Sequence, residues 1–255
     1  MIYSASRRTD LPAFYPDHIC DKVRRSRKLE GIVFWTKDPR NFQEHAGLRE
    51  VLRRFPAVIQ LTLTGFGGTA WEPGVPRPGD LRPALEFLAR ALPPGAVRWR
   101  FDPIIADAGL FPRLLAVREL LTDCGLALED VTVSFPAEYR KVTARLRGAG
   151  MAFPAVDFPA RRRIIAQIGE RTGLPVRLCC QKPLLEVPGT LPAACVDHAL
   201  FNRLYGTAFP GTPARGQRPQ CACHAAADIG SYAQKCGHGC LYCYAWQGEG
   251  ADADA

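Results

Sequence analysis

Six short runs rich in Val, Ile, Phe, Trp and Thr recur along the first 180 residues, each followed by a polar loop and an amphipathic stretch. They are Ile2–Ser6, Gly31–Thr36, Val58–Thr64, Val97–Asp102, Val131–Phe135 and Pro175–Cys179. Their starts lie roughly 30–40 residues apart, the length of a unit in which a helix joins two parallel strands. Between them the apolar residues recur at helical spacing. Leu81, Leu85, Leu88 and Leu92 form the clearest stripe, behind Asp80 as a candidate N-cap. Leu114, Val117 and Leu121 precede Gly125, and Ile164, Ile165 and Ile168 precede Gly173, both glycines reading as helix stops. The pattern predicts an α/β fold, a partial (β/α)6 TIM-like barrel.

Successive side chains of a strand point to opposite faces. Gln60, Thr62 and Thr64 alternate with Leu61 and Leu63; Arg98, Arg100 and Asp102 alternate with Trp99 and Phe101. Thr132 and Ser134 alternate with Val131 and Val133, and Ser4 and Ser6 share a parity. The apolar sets are expected to face the helices, which leaves the polar sets facing the lumen. Closed barrels fill their lumen mostly with branched aliphatics. A polar lumen calls for water or a polar ligand, because buried polar groups need partners. Reactive residues gather past the strand ends: Arg7, Arg8 and Asp10, then Lys37 and Asp38, then Glu72, Asp102, Ser134 and the Cys179-Cys180 pair. In α/β barrels those ends build the site. Arg100 and Asp102 are the catalytic candidates, and Arg7, Arg8, Thr64 and Tyr242 the candidate cofactor contacts. Arginine forks suit carboxylates and phosphates, and Asp102 suits ribose hydroxyls or proton transfer.

Eight of ten cysteines fall between Cys179 and Cys243. In a chain without an export signal such crowding favours metal over disulfides. Cys236-Gly-His-Gly-Cys240-Leu-Tyr-Cys243 spaces three thiolates for three corners of a 4Fe–4S cube, leaving the fourth iron open. An open iron is what S-adenosylmethionine needs to bind before reductive cleavage. With the aromatic Tyr242 before the last cysteine, the stretch resembles the cluster motif of radical S-adenosylmethionine (radical SAM) enzymes. Those enzymes carry the motif near the start of their barrel, and here it closes the chain. The resemblance implies an electron donor such as ferredoxin or flavodoxin. Zinc is the alternative metal, though zinc sites favour C-x2-C pairs and need a fourth ligand. Radical SAM enzymes also carry a Gly-Gly-Glu-type segment after the second strand; here Gly67-Gly68 and Glu72 follow the third. Five cysteines remain: Cys179, Cys180, Cys195, Cys221 and Cys223. Four thiolates from this group would close a second 4Fe–4S cluster or a structural zinc. Strand alternation sends Cys179 and Cys180 to opposite sides, so one of the two is expected to ligate.

The chain has 255 residues, 47% hydrophobic and 23% charged, the balance of a globular protein with a full core. The expected arrangement is a barrel over residues 1–206, with a cysteine-rich segment over 207–255 lying across the strand C-termini. Gly206–Gln220 reads as a loop, and the final Gly-Glu-Gly-Ala-Asp-Ala-Asp-Ala as a disordered tail. No run reaches the ~18 apolar residues of a membrane span, and Met1–Arg8 has no apolar signal region. A cytoplasmic protein without a membrane partner is expected. The net charge of +8 comes from 27 arginines and six lysines against 25 acidic residues. They are scattered, as on solvated helix faces, yet they leave nucleic acid open beside a small molecule as substrate. The rival function is a non-radical iron–sulfur or zinc protein that binds nucleic acid.

Assembled in order, these motifs resemble the uncharacterised family called domain of unknown function 1848, over roughly residues 1 to 246. The resemblance rests on Ser4-Ala-Ser-Arg-Arg-Thr-Asp10, Lys37-Asp-Pro39, Thr62-Leu-Thr-Gly65, Glu72-Pro-Gly-Val-Pro76 and Trp99-Arg-Phe-Asp-Pro-Ile104. It continues through Ser134-Phe135, Cys195-Val-Asp197, and the stretch from Cys221-x-Cys223 and Asp228-Ile-Gly-x-Tyr232 to Cys243-Tyr-Ala245. It implies a radical-SAM-like cluster on the last cysteines and no stated activity. The family tends to have Cys-Ala-Glu where this chain has Cys179-Cys180-Gln181, so either cysteine could take the family role.

Overall fold

The computed structural model of the chain describes residues 1–218, 220–231 and 233–246. Tyr232 and the acidic end read above as a disordered tail lie outside them. Eight strands form one sheet: β1 Ile2–Ala5, β2 Gly31–Thr36, β3 Ala57–Thr62, β4 Val97–Phe101, β5 Val131–Val133, β6 Val176–Leu178, β7 Thr190–Pro192 and β8 Ala227–Asp228. Their order is β7-β6-β5-β4-β3-β2-β1-β8, and every pairing is parallel. This arrangement is compatible with a partial α/β barrel. The expected six strands are β1 to β6, and the sheet adds one at each edge. β7 is three residues ending on proline and β8 is two residues. Neither is long enough to carry an alternation signal.

The helices are α1 Leu11–Phe14, α2 Pro16–Arg25, α3 Arg40–Glu44, α4 Ala46–Arg54, α5 Arg82–Ala91, α6 Leu110–Asp123, α7 Arg140–Gly148, α8 Phe158–Thr172 and α9 His198–Tyr205. Local chemistry sets several ends. Asp157 accepts from the Ala160 amide to cap α8, and Asp197 accepts from Ala199 and Leu200 to cap α9. Gly173 and Gly206 close the same two helices in the left-handed conformation. Asp80 does not cap α5. It lies inside the preceding 3-10 turn, Pro78–Leu81, which enters the helix directly.

The alternation read from sequence sorts the two faces of the sheet. Ile32, Phe34, Ile59, Leu61, Trp99, Phe101, Val131 and Val133 pack in one core with helix residues such as Leu48, Leu85, Leu88, Leu114 and Ile168. Each fully buried side chain of that size stabilises the fold by about 1.5–3 kcal/mol. On the opposite, inner face, Ile2, Val33 and Val58 meet Leu200 and Phe201 of α9. α9 therefore closes the N-terminal ends of the strands. Its Phe201 ring sits 2.8 Å from where a Cβ on Gly31 would lie, and Tyr205 donates a 2.6 Å hydrogen bond to the Ala57 carbonyl. Above this plug the inner face turns polar, with Ser4, Gln60, Thr64, Arg98, Arg100 and Thr132 all buried. Gln60 Nε2 donates to the Cys195 carbonyl at 2.8 Å, and Arg98 and Arg177 both donate to Asp130. No helix among the described residues is long and apolar enough to cross a membrane.

Candidate metal centre and polar mouth

The C-terminal ends of β1 to β5 open into a mouth, and the cysteine loop 236–243 lies against its rim. Gly74 N donates to His238 O at 2.9 Å and Leu241 N to Trp71 O at 3.0 Å, joining the loop to the segment after β3. Thr9 Oγ1 donates to Gln234 O at 2.9 Å, and Tyr15 Oη to Lys235 O at 3.0 Å, joining it to the segment after β1. From α7, Arg145 donates to the carbonyls of Leu241, Cys243 and Trp246. The fit is close: a Cβ on Gly74 would fall 2.5 Å from Gly237 O, and one on Gly237 would fall 2.7 Å from the Phe14 ring.

Two buried carboxylates hold the loop. Asp10 Oδ2 accepts from Thr36 Oγ1 at 3.0 Å, Lys37 N at 2.7 Å and His238 Nε2 at 2.8 Å. The other ring nitrogen of His238 faces Gly74 O at 3.1 Å, so a proton on each nitrogen satisfies both contacts. Burial alone would lower the His238 pKa, but its bond to Asp10 outweighs burial and raises it. The second carboxylate, Glu72, is 1% exposed. Its Oε1 accepts from Lys37 Nζ at 2.8 Å, Thr64 Oγ1 at 2.7 Å and the Tyr242 hydroxyl. Burial would raise the Glu72 pKa; the Lys37 charge and these three hydrogen bonds hold it below the usual carboxylate range. Burial and the Glu72 charge push the Tyr242 hydroxyl well up, so Tyr242 stays a donor. Thr64 and Tyr242, both expected to touch a cofactor, are thus brought together on one glutamate.

Deeper in the mouth lie the residues singled out for chemistry. Arg100 donates to Asp102 Oδ2, and Ser134 Oγ donates to Asp102 Oδ1. Arg100 also reaches Cys195 Sγ at 2.8 Å. Burial would lower its pKa, but Cys195, Asp102 and Cys179 around it raise it well above the ordinary value. The Trp35 ring carries the guanidiniums of Arg7 at 5.2 Å and Arg100 at 5.4 Å from its centroid. Arg8 turns elsewhere, toward the Asp228 carboxylate and Gly230 O beside β8. Arg7, Arg100, Asp102 and Trp35 share the mouth, while Arg8 ties β1 to the sheet edge. Trp35 was not singled out from sequence. Its signal was its parity, shared with Gly31 and Val33 on β2. The Asp10–His238 pair joins residues 228 positions apart, and no local pattern connects them.

The remaining thiols gather on the inner face below Arg100. Cys179 neighbours Cys180 and Cys195, Cys195 neighbours Cys223, and Cys223 neighbours Cys221. The donor set of the tail suits an iron–sulfur cluster in a specific way. The Cys236 sulfur accepts the backbone N–H groups of Asp10 and His238, the kind of bond that stabilises a metal-bound thiolate. Burial pushes the Cys236 and Cys240 thiols up, so their ionised forms need a positive partner. Among the described residues, no three or more His, Cys, Asp or Glu side chains stand grouped around one ion position.

A family described as Domain of unknown function (DUF1848) matches residues 22–245. No curated protein matches the chain.

Proposed function

The chain belongs to the DUF1848 family, and on that footing we propose that it is an iron–sulfur enzyme of the radical SAM type. Cys236, Cys240 and Cys243 would hold a 4Fe–4S cluster, and S-adenosylmethionine would bind in the barrel mouth. The observation that carries this reading is the placement of the three-cysteine loop on the strand C-terminal rim, bonded to the segments after β1 and β3. The chemistry such a group would supply is one-electron reduction of the sulfonium, with a ferredoxin- or flavodoxin-like protein as the electron donor.

The chain's own residues divide the remaining work. Backbone amides of Asp10 and His238 hold the Cys236 sulfur, and Gly74 lets the loop sit close. Lys37, Glu72 and Tyr242 pack a dry, internally satisfied wall beside the loop. Arg7 and Arg100, spread over Trp35, present guanidinium edges to a carboxylate or phosphate. Asp102, oriented by Arg100 and Ser134, accepts from a hydroxyl or takes a proton.

The test is an assay for 5′-deoxyadenosine from anaerobically purified protein given dithionite and S-adenosylmethionine. The expected result is product formation that disappears in Cys236→Ala, Cys240→Ala and Cys243→Ala, together with the broad visible absorbance of thiolate-bound iron. Wild-type protein that carries zinc alone at the three tail cysteines would end the proposal.

A further inference from the structure

We propose that the inner face holds a second metal, a single zinc ion bound by Cys179, Cys195, Cys221 and Cys223. This site is independent of the radical reading. Its ligands come from the end of β6, the segment after β7, and the Cys221-x-Cys223 turn. The fold brings these three parts together beneath the mouth.

Hydrogen-bond donors converge on these sulfurs. Arg100 Nη1 donates to Cys195 Sγ at 2.8 Å, and Arg218 Nη2 to Cys179 Sγ at 3.7 Å. Cys195 N donates to Cys223 Sγ at 3.2 Å, joined there by the Val196 amide. The Cys223 amide reaches the Cys221 sulfur. These donors fall on the four proposed ligands, and N–H groups aimed at sulfur stabilise thiolates. Strand alternation separates Cys179 from Cys180 in the same sense. Cys179 continues the inner face of β6, while Cys180 takes the left-handed conformation at φ 53° and leaves the strand.

Ion size suits closely placed thiols. A tetrahedral zinc with Zn–S near 2.3 Å places its sulfurs about 3.8 Å apart, at the edge of direct contact. The inner-face thiols follow one another closely: 180 and 195 beside 179, 223 beside 195, and 221 beside 223. The sulfurs that hold a cube sit on separate irons and stand further apart. The close succession of the inner-face thiols suits ligands that share a single ion. The inner thiols stand in succession, so binding one ion requires their side chains to turn between staggered wells.

Charge also bears on the site. Four thiolates and a divalent ion carry a net charge of about −2. The Arg100 and Arg218 guanidiniums bonded to the sulfurs offset part of it, Arg100 being shared with Asp102. Four thiolates leave no open coordination position, so the zinc is structural. It staples the 193–197 and 221–223 segments to β6. Through Arg100, which bridges Cys195 and Asp102, it also fixes the floor of the mouth.

The experiment counts metals by mass spectrometry in the full-length chain, expressed with zinc and iron both supplied. In Cys236→Ala/Cys240→Ala/Cys243→Ala protein we expect about one zinc and no iron. The same variant with Cys180→Ser added should keep the zinc, and with Cys223→Ser added should lose it. If the triple variant does not fold, the wild type serves: about four irons with one zinc are expected. Cobalt(II) exchanged for the zinc should then show the visible bands of a tetrahedral tetrathiolate. Folded protein without zinc, about four irons in the triple variant, or zinc retained after Cys223→Ser would each overturn the assignment. Loss of the tail cluster alone leaves it standing, so its failure and that of the radical reading are separable.

Discussion

Replacing Lys37 with methionine removes one half of a buried ion pair and leaves the other half in place. Glu72 is 1% exposed at its side chain and Lys37 15%, with Nζ 2.8 Å from Oε1. Breaking a buried pair from one side costs about 3–5 kcal/mol, because the surviving charge keeps its desolvation penalty. Lys37 retains some exposure, and Thr64 and Tyr242 still donate to Glu72, which places the loss near the lower end, about 3 kcal/mol. For a chain of this size each kcal/mol moves Tm by roughly 2–4 °C, so Tm should fall by roughly 6–12 °C at pH 8. The pH dependence carries the sharper signature. In the wild type the Glu72 pKa is lowered and the Lys37 pKa raised. The glutamate contribution is present above about pH 4.3, its unfolded value, and is lost as pH falls through the folded value below it. The lysine contribution is present below about pH 10.4 and is lost as pH rises through its raised folded value. The pair is thus fully stabilising between those limits. Without Lys37, burial pushes Glu72 up, and protonation then relieves the penalty, so the Tm deficit should shrink on acidification from pH 8 to pH 5. Adding Glu72→Gln should recover most of the loss, because the amide oxygen still accepts from Thr64 and Tyr242. Differential scanning calorimetry across that pH range is the assay. A Tm within ~2 °C of wild type at pH 8, or a deficit that grows on acidification, would refute the reasoning.

Three further outcomes are expected. Arg145→Ala removes the guanidinium that bonds three tail carbonyls, so the amides of 241–246 should exchange about 30-fold faster, from ~2 kcal/mol of local docking, with little change in Tm. Gly74→Ala puts a Cβ 2.5 Å from Gly237 O and 2.9 Å from His238 O; both are backbone atoms, so the loop must lift, and iron content should fall while far-UV circular dichroism stays the same. Gly31→Ala crowds the Phe201 ring at 2.8 Å and should cost about 1–3 kcal/mol in urea unfolding, recovered in part by Phe201→Leu.

The amino-acid sequence alone determined the six central strands, the helices between them and the division of the sheet into an apolar and a polar face. All of these follow from local periodicity, which repeats within a few residues and needs no knowledge of distant partners. The same locality made the C-x3-C-x2-C loop and the residues past each strand end legible. Only the tertiary structure decided which of those residues meet. Arg8 and Arg7 are adjacent in sequence, yet one binds the β8 edge and the other covers Trp35. Glu72 reads as a loop acid, and it becomes the common acceptor of Lys37, Thr64 and Tyr242 because three chain segments converge on it. The edge strands β7 and β8 were invisible for the same reason. A two- or three-residue strand is specified by the partner it pairs with, and that partner is chosen by the fold as a whole.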